Sequence, residues 1–163
     1  MKLTDGMNQK VVDSLQESLD TNSVNNIILF IGEHGSGKTS SARALGQALL
    51  SQSIHPVKMR EFLGSKFPVK NISEFDMSQL SKIVSIDAII SSAKKLPTGN
   101  SKFKIVILQD IALLPTESQN ELLSLCEENL PYLYLFLVTT TPEHIIPALS
   151  SRCTKYLLNR TVV

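Results

Sequence analysis

A glycine-rich segment, Gly32–Thr39, places the strongest constraint on how this chain can fold. Its residues, GEHGSGKT, fit the pattern G-x-x-x-x-G-K-[ST], in which the glycines allow a tight turn of the backbone. The segment follows a continuous apolar run, Ile27–Ile31, which is typical of a strand buried on both faces. Apolar residues at helical spacing begin after Lys38. The sequence therefore predicts a strand, a tight turn and a helix in immediate succession.

Extended and helical patterns alternate along the rest of the chain. The predicted strands are Ile27–Ile31, Val57–Leu63, Phe103–Leu108, Tyr132–Val138 and a last one near Cys153–Leu157. Further helices are expected around Leu15, after the N-caps Ser85 and Thr116, and as a short segment within Pro142–Leu149, whereas Gly64–Asp76 is interpreted as a loop. This alternation predicts one α/β domain over residues 1–163, with a five-stranded parallel sheet that helices cover on both faces.

Composition narrows the range of functions. Of the 163 residues, 42% are hydrophobic and 19% are charged, which excludes a disordered chain. A net charge of +1 argues against binding DNA or a membrane through bulk electrostatics. Four lysines that cluster in sequence are interpreted as a solvated loop face: Lys94, Lys95, Lys102 and Lys104.

Cysteine usage and hydropathy indicate a cytoplasmic protein. Cys126 and Cys153 are far apart and have no partner at metal-ligand spacing, so we expect reduced thiols and no zinc site. The longest apolar run, Tyr132–Val138, is too short to cross a bilayer, and the N-terminus has no apolar signal segment.

The Gly32–Thr39 turn is chemically suited to phosphate. Its backbone N–H groups can form an anion-binding nest, and the following helix adds its positive N-terminal end. Lys38 is expected to reach the β- and γ-phosphates of ATP, and the Thr39 hydroxyl to ligate Mg²⁺. The candidate nucleotide-binding residues are Gly32, Glu33, His34, Gly35, Ser36, Gly37, Lys38, Thr39 and Ser40. His34 either touches a phosphate or faces solvent, and Arg43 is interpreted as a surface helix residue.

The other half of an ATPase site is incomplete. A P-loop ATPase carries an acidic pair at the end of a neighbouring strand, where one carboxylate holds the Mg²⁺ shell and the other activates water. Here Gln109 stands in the metal-holding position and Asp110 in the position of the base. Two alternatives remain open: Asp110 holds the metal and the base is absent, or Asp110 merely follows a strand.

A longer pattern, spread over Ile105–Cys153, adds a family resemblance. Its pieces are Gln119-Asn120, Leu122-Leu123, Glu127-Glu128, Thr139-Thr140-Thr141-Pro142-Glu143 and Ser151-Arg152-Cys153. In this order and spacing they resemble the clamp-loader branch of the AAA+ ATPases, and residues 1–50 resemble that family's opening helix, strand and P-loop. The resemblance implies a P-loop NTPase fold of the AAA+, RecA-like kind, a three-layer sandwich.

The resemblance also implies roles for single residues. Asp110 corresponds, imperfectly, to the catalytic acid, Thr140 to the sensor of the γ-phosphate, and Arg152 to an arginine finger that acts in trans on a neighbouring subunit's ATP site. The pattern is most similar to that of delta-prime subunits of the bacterial DNA polymerase III clamp loader, which often carry a polar residue followed by Asp. It implies a role in DNA replication with little or no ATP hydrolysis.

The implied partners are other clamp-loader subunits in a hetero-oligomer and, through that complex, the sliding clamp and primer–template DNA. Some family features are missing: Leu50–Val57 contains no four-cysteine zinc module, and the chain ends at Val163, before the family's lid and collar domains. The alternatives are an ATP-hydrolysing motor subunit of the clamp loader, a scaffold that no longer binds nucleotide, and a small P-loop metabolite kinase. The four arginines of the chain are too few and badly placed for a kinase lid.

Overall fold

The computed structural model describes residues 6–51, 59–62, 70–79, 86–99 and 101–159, which form alternating helices and strands. The helices are α1 (Gly6–Asp20), α2 (Lys38–Ser51), α3 (Ile86–Lys94), α4 (Thr116–Glu127) and α5 (Pro147–Arg152). The strands are β1 (Ile27–Gly32), β2 (Ile72–Asp76), β3 (Lys104–Gln109), β4 (Leu133–Thr139) and β5 (Thr154–Leu158). Within these ranges, no helix is long and apolar enough to span a membrane.

The five strands form one sheet in the order β2-β3-β4-β1-β5, and every pair of neighbours is parallel. Because successive side chains of a strand point to opposite faces, β1 supplies Phe30 to one core and Leu29 to the other. Helices α1 and α2 cover the Phe30 face, and α3, α4 and α5 cover the Leu29 face. The predicted three-layer α/β sandwich with a five-stranded parallel sheet is therefore confirmed.

The second strand is not where the sequence placed it. Val57–Leu63 was the predicted strand, but Met59–Phe62 forms a 3-10 helix, and the rest of that range lies outside the described residues. The strand is instead β2, inside the segment interpreted as a loop. It lies at the edge of the sheet and pairs only with β3, so its side chains are mostly half-buried and its sequence, ISEFD, lacks a continuous apolar run.

Two smaller predictions also need correction. Thr116 is the first residue of α4 rather than its N-cap, because Pro115 occupies the cap position and no side chain caps the helix. Lys104 does not belong to a solvated face: it is only 8% exposed, and its Nζ donates a hydrogen bond to the carbonyl of Ser92. This lysine donates to a carbonyl in the last turn of α3, where the carbonyl groups have no N–H partner within the helix. The predicted cap Ser85 lies outside the described residues.

Both cysteines lie in the core on the α4 side of the sheet and form no disulfide. Burial raises the pKa of the Cys126 thiol to about 12 and that of Cys153 to about 11. Because the thiolate is the reactive form, these thiols are protected both by lack of access and by protonation.

We expect neither cysteine to react with an aromatic disulfide reagent at pH 8 while the protein is folded. Both thiols of the chain should react at once when it is unfolded in guanidinium chloride. Absorbance of the released thiolate measures the number of reacted groups in each condition. Fast labelling of the folded chain would show that the packing of α4 against α5 opens readily.

Candidate nucleotide-binding site

The strand order brings the glycine-rich turn and the end of β3 to the same edge of the sheet. Strand β4 lies between β1 and β3, so the carboxyl ends of β1 and β3 are two strand spacings apart, roughly 10 Å. A cleft of about 180 Å³ opens between them. Its lining residues are His34, Gly35, Gly37, Lys38, Thr39, Ser40, Gln109, Asp110 and Val138. Such a crevice at the carboxyl ends of parallel strands is the usual place for a ligand in this class of fold.

The turn between β1 and α2 has the backbone shape that the motif predicts. Gly35 and Gly37 have φ values of 80° and 90°, a region that side chains with a Cβ rarely adopt. Gly32 is needed for close approach, since a Cβ there would lie 2.5 Å from Ser36 Oγ and 2.6 Å from the carbonyl oxygen of Leu158. Ser36 is fully buried under the turn, so it supports the loop and does not line the cleft.

Lys38 is the first residue of α2, and its side chain lies inside the turn. It is only 7% exposed, and its Nζ donates a hydrogen bond of 2.7 Å to the carbonyl of Glu33. Burial lowers the pKa of Lys38, and the nearby Asp110 carboxylate acts in the opposite direction. The ammonium is therefore held at the base of the cleft by the loop itself, beside the positive end of the helix.

Asp110 leaves β3 in an unusual backbone conformation. Its φ and ψ are 57° and 44°, in the left-handed region, which Asp tolerates better than most residues. The backbone carbonyl of Asp110 accepts a hydrogen bond of 3.0 Å from the N–H of Leu113, and this bond starts a 3-10 turn. This geometry places the Asp110 side chain at the cleft, where it acts electrostatically on Lys38. The structure thus brings these two predicted site residues together.

Gln109, in the metal-holding position, belongs to a network that the sequence reasoning missed. Its Nε2 donates a hydrogen bond to Glu74 Oε1, and the same carboxylate accepts two bonds from Arg43, 2.8 Å from Nε and 2.5 Å from Nη2. Arg43 is therefore not an ordinary surface residue: it forms a bidentate ion pair across α2 and β2. Its position four residues after Thr39, on the same helix face, was the available signal. Glu74 was hidden by the loop interpretation of β2.

The residues of the cleft are better suited to bind phosphate groups than to bind the Mg²⁺ ion that accompanies them in ATP. The nest of N–H groups, the helix end and Lys38 supply positive charge for phosphate. For Mg²⁺, Thr39 offers a hydroxyl oxygen, Gln109 a neutral amide and Asp110 the one carboxylate among the cleft residues. Mg²⁺ prefers anionic oxygen ligands beside its waters, so this donor set is poor in charge.

Thr140 and Arg152 lie outside the residues that line the cleft. Thr140 follows β4 directly and is half-buried. Arg152 ends α5; its side chain is 43% exposed and pairs with Glu127 at 3.4 Å. Their roles stay predictions.

The segment that carries Arg152 is anchored by Gln119, which is 2% exposed. The amide of Gln119 donates hydrogen bonds of 3.1 Å to the carbonyls of Leu114 and His144 and accepts one of 2.8 Å from the N–H of Ile146. These contacts tie α4 to the chain immediately before α5. The glutamine of the sequence pattern therefore fixes the position of the helix that ends at Arg152.

Comparisons with known proteins agree with this geometry. Residues 7–161 match the family described as DNA polymerase III, delta subunit. The DNA polymerase III subunit gamma/tau of Mycobacterium tuberculosis (strain H37Rv) is 28% identical over 91% of this chain and 27% of its own length. Protein STICHEL-like 1 of Arabidopsis thaliana is 26% identical over 92% of the chain, which spans 14% of that protein.

A solved structure supports the fold. The DNA polymerase III, gamma subunit-related protein of Thermotoga maritima superposes with a TM-score of 0.59 at 23% identity, covering 91% of this chain and 45% of that one. The chain thus spans less than half the length of each of these three proteins.

Replacing Gly32 by Ala should destabilise the base of the turn. The added methyl would overlap the Leu158 carbonyl, so β5 or the turn must move, at a cost of about 1–3 kcal/mol. Thermal unfolding followed by circular dichroism measures the loss. Gly46→Ala on α2 is the matched control, because its methyl would meet only side-chain atoms, at 3.2 Å or more. Equal melting temperatures for Gly32→Ala and the wild type would contradict the close approach.

Proposed function

Because this chain belongs to the family of DNA polymerase III delta subunits, we propose that it acts in DNA replication as a delta-prime-like subunit of a clamp loader. In this role it binds nucleotide weakly or not at all, hydrolyses little ATP, and lends Arg152 to the ATP site of a neighbouring subunit. The partners are other clamp-loader subunits in a cytoplasmic hetero-oligomer, which acts on a sliding clamp and primer–template DNA.

The observation that carries this proposal is the state of Gln109. In an efficient ATPase this position supplies a full negative charge to the metal shell. Here it supplies a neutral amide whose Nε2 donates a hydrogen bond to Glu74. Asp110 is the remaining carboxylate among the residues that line the cleft, and it acts electrostatically on Lys38. A phosphate chain can therefore be held, while activation of water and retention of Mg²⁺ are both weakened.

The setting of Arg152 supports a role in trans. The side chain is half-exposed, does not line this chain's own cleft, and within the described part of the chain makes one long ion pair, with the exposed Glu127. Exposed pairs of this kind contribute about 0–1 kcal/mol, so a phosphate group of a neighbouring subunit can compete for the guanidinium at little cost. A guanidinium delivered to a transferring phosphoryl group stabilises the charge of the transition state.

An ATP-hydrolysing motor subunit is the second candidate. It is favoured by the complete P-loop pattern in the expected geometry and by the likeness to subunits named gamma/tau. It requires Asp110 to serve as the base and Thr39 to hold Mg²⁺ without an acidic partner at Gln109. Among the described residues no observation favours the metabolite kinase, because Arg43 is paired with Glu74 and Arg152 does not line the cleft.

A titration with a fluorescent ATP analogue, with Mg²⁺ and with EDTA, tests the nucleotide site. We expect weak binding that Lys38→Ala abolishes, while Lys10→Ala, which removes an exposed lysine of α1, leaves it unchanged. Gln109→Asp should increase the benefit of Mg²⁺ roughly tenfold, because it restores a negative charge at the metal position. Strong Mg²⁺-dependent binding with steady hydrolysis by the wild-type chain would favour the motor subunit instead.

The finger is tested in a clamp loader assembled from this chain and its cognate subunits. Arg152→Ala should lower ATP turnover by the complex at least roughly tenfold, since it removes a positive charge from the neighbour's transition state. Lys155→Ala is the matched control, because it removes an exposed cation three residues away. If Arg152→Ala and Lys155→Ala complexes assemble normally and turn over ATP at equal rates, Arg152 is not the finger.

A further inference from the structure

Glu74 lies between two groups that both donate hydrogen bonds to it. On one side Arg43 holds it through two parallel bonds, and on the other Gln109 donates through Nε2. The ion pair is partly shielded, with side-chain exposures of 37% for Arg43 and 19% for Glu74. A bidentate arginine–carboxylate pair fixes the carboxylate in both distance and plane. Glu74 is therefore a rigid acceptor beside the cleft.

A rigid carboxylate determines which way the neighbouring amide faces. An ionised carboxylate has only acceptor oxygens, whereas a glutamine amide has a donor end and an acceptor end. Turning the Gln109 amide over would set its carbonyl oxygen against a carboxylate oxygen and lose the hydrogen bond. The NH₂ end therefore stays at Glu74, and the carbonyl oxygen is the end left for the cleft that Gln109 lines.

We propose that Glu74 and Arg43 are positioning residues that hold the Gln109 carbonyl oxygen toward the nucleotide cleft, where it accepts hydrogen bonds from the water shell of the nucleotide's cation. The inference rests on the proposed nucleotide site. Mg²⁺ keeps several of its waters when it binds beside phosphates, and those waters donate to neutral oxygens as well as to carboxylates. The network thus retains part of the metal-holding function at a position that has lost its charge.

Helix α2 links this network to the phosphate loop. Thr39 and Arg43 are one helical turn apart on the same face, so the hydroxyl offered to the metal and the guanidinium that fixes Glu74 share one rigid element. The two oxygens expected at the cation, from Thr39 and Gln109, are therefore held relative to each other by the Arg43–Glu74 pair. Loss of that pair should loosen the cation's surroundings without removing any group that contacts phosphate.

The test is a double-mutant cycle that measures the benefit of Mg²⁺, defined as the Kd of a fluorescent ATP analogue in EDTA divided by its Kd in Mg²⁺. Glu74→Gln allows the Gln109 amide to turn over, because glutamine can donate as well as accept. We expect it to lower the benefit roughly threefold or more, because the amide is no longer oriented and the charge of Arg43 is no longer compensated. Glu128→Gln, which breaks an exposed pair with Lys94, is the matched control and should leave the benefit unchanged.

The second arm of the cycle separates orientation from general stability. In Gln109→Asp the side chain is a carboxylate with two equivalent oxygens, so nothing remains to be oriented. Adding Glu74→Gln to that variant should lower its Mg²⁺ benefit clearly less than in the wild-type background, because only the uncompensated charge of Arg43 then acts on the cation. An equal loss in both backgrounds, or no loss in either, would overturn the proposal.

A ligand-free measurement and the wild-type titration complete the test. In proton–nitrogen correlation spectra, Glu74→Gln should shift the side-chain NH₂ signals of Gln109, which are identified by their loss in Gln109→Met. Unshifted signals would show that the amide is not held by Glu74 and would overturn the positioning role. If the wild-type chain bound no nucleotide in either buffer, both the nucleotide site and this inference would fail, whereas normal binding without the Glu74 effect would remove only the inference.

Discussion

The parallel pairing of β1 and β3 with the strand between them, β4, is the constraint on which the candidate site depends. Parallel strands end at the same edge of a sheet, so the phosphate turn after β1 and Asp110 after β3 meet there although they are distant in sequence. The intervening β4 sets a gap of two strand spacings, and its Val138 lines the cleft that opens there. Burial of these strands on both faces keeps this geometry rigid.

How far the fold was predictable depended on how each strand is buried. β1, β3 and β4 are central and read as continuous apolar runs, so their predicted bounds differ from the observed ones by about one residue. β2 is an edge strand with three polar residues among its five, and its sequence was mistaken for a loop. That single error hid Glu74, and without Glu74 there was no reason to interpret Arg43 as anything but a surface residue.

Some parts of the candidate site are encoded by neighbouring residues in the sequence, and others depend on contacts between distant elements of the fold. The turn from Gly32 to Thr39 is encoded by a contiguous motif, because the backbone shape of each position restricts its residue type. The orientation of Gln109 depends on a side chain from another strand, held by a third element, and no spacing rule on one sequence contains that contact. The family pattern did include Gln119, but only the structure shows that it fastens α4 to the segment before α5.

The two arginines whose side chains the structure describes differ in how firmly their partners hold them. Arg43 makes a partly buried, bidentate pair, and removing either partner would leave an uncompensated charge beside the cleft. Arg152 makes one long contact in an exposed position, so its present partner is easily exchanged. The fold thus uses the doubly bonded, partly buried Arg43 to hold Glu74, which in turn holds the amide of Gln109. Arg152, whose ion pair is more easily exchanged, does not line this chain's own cleft. The finger role proposed for it therefore requires that the chain works in an assembly.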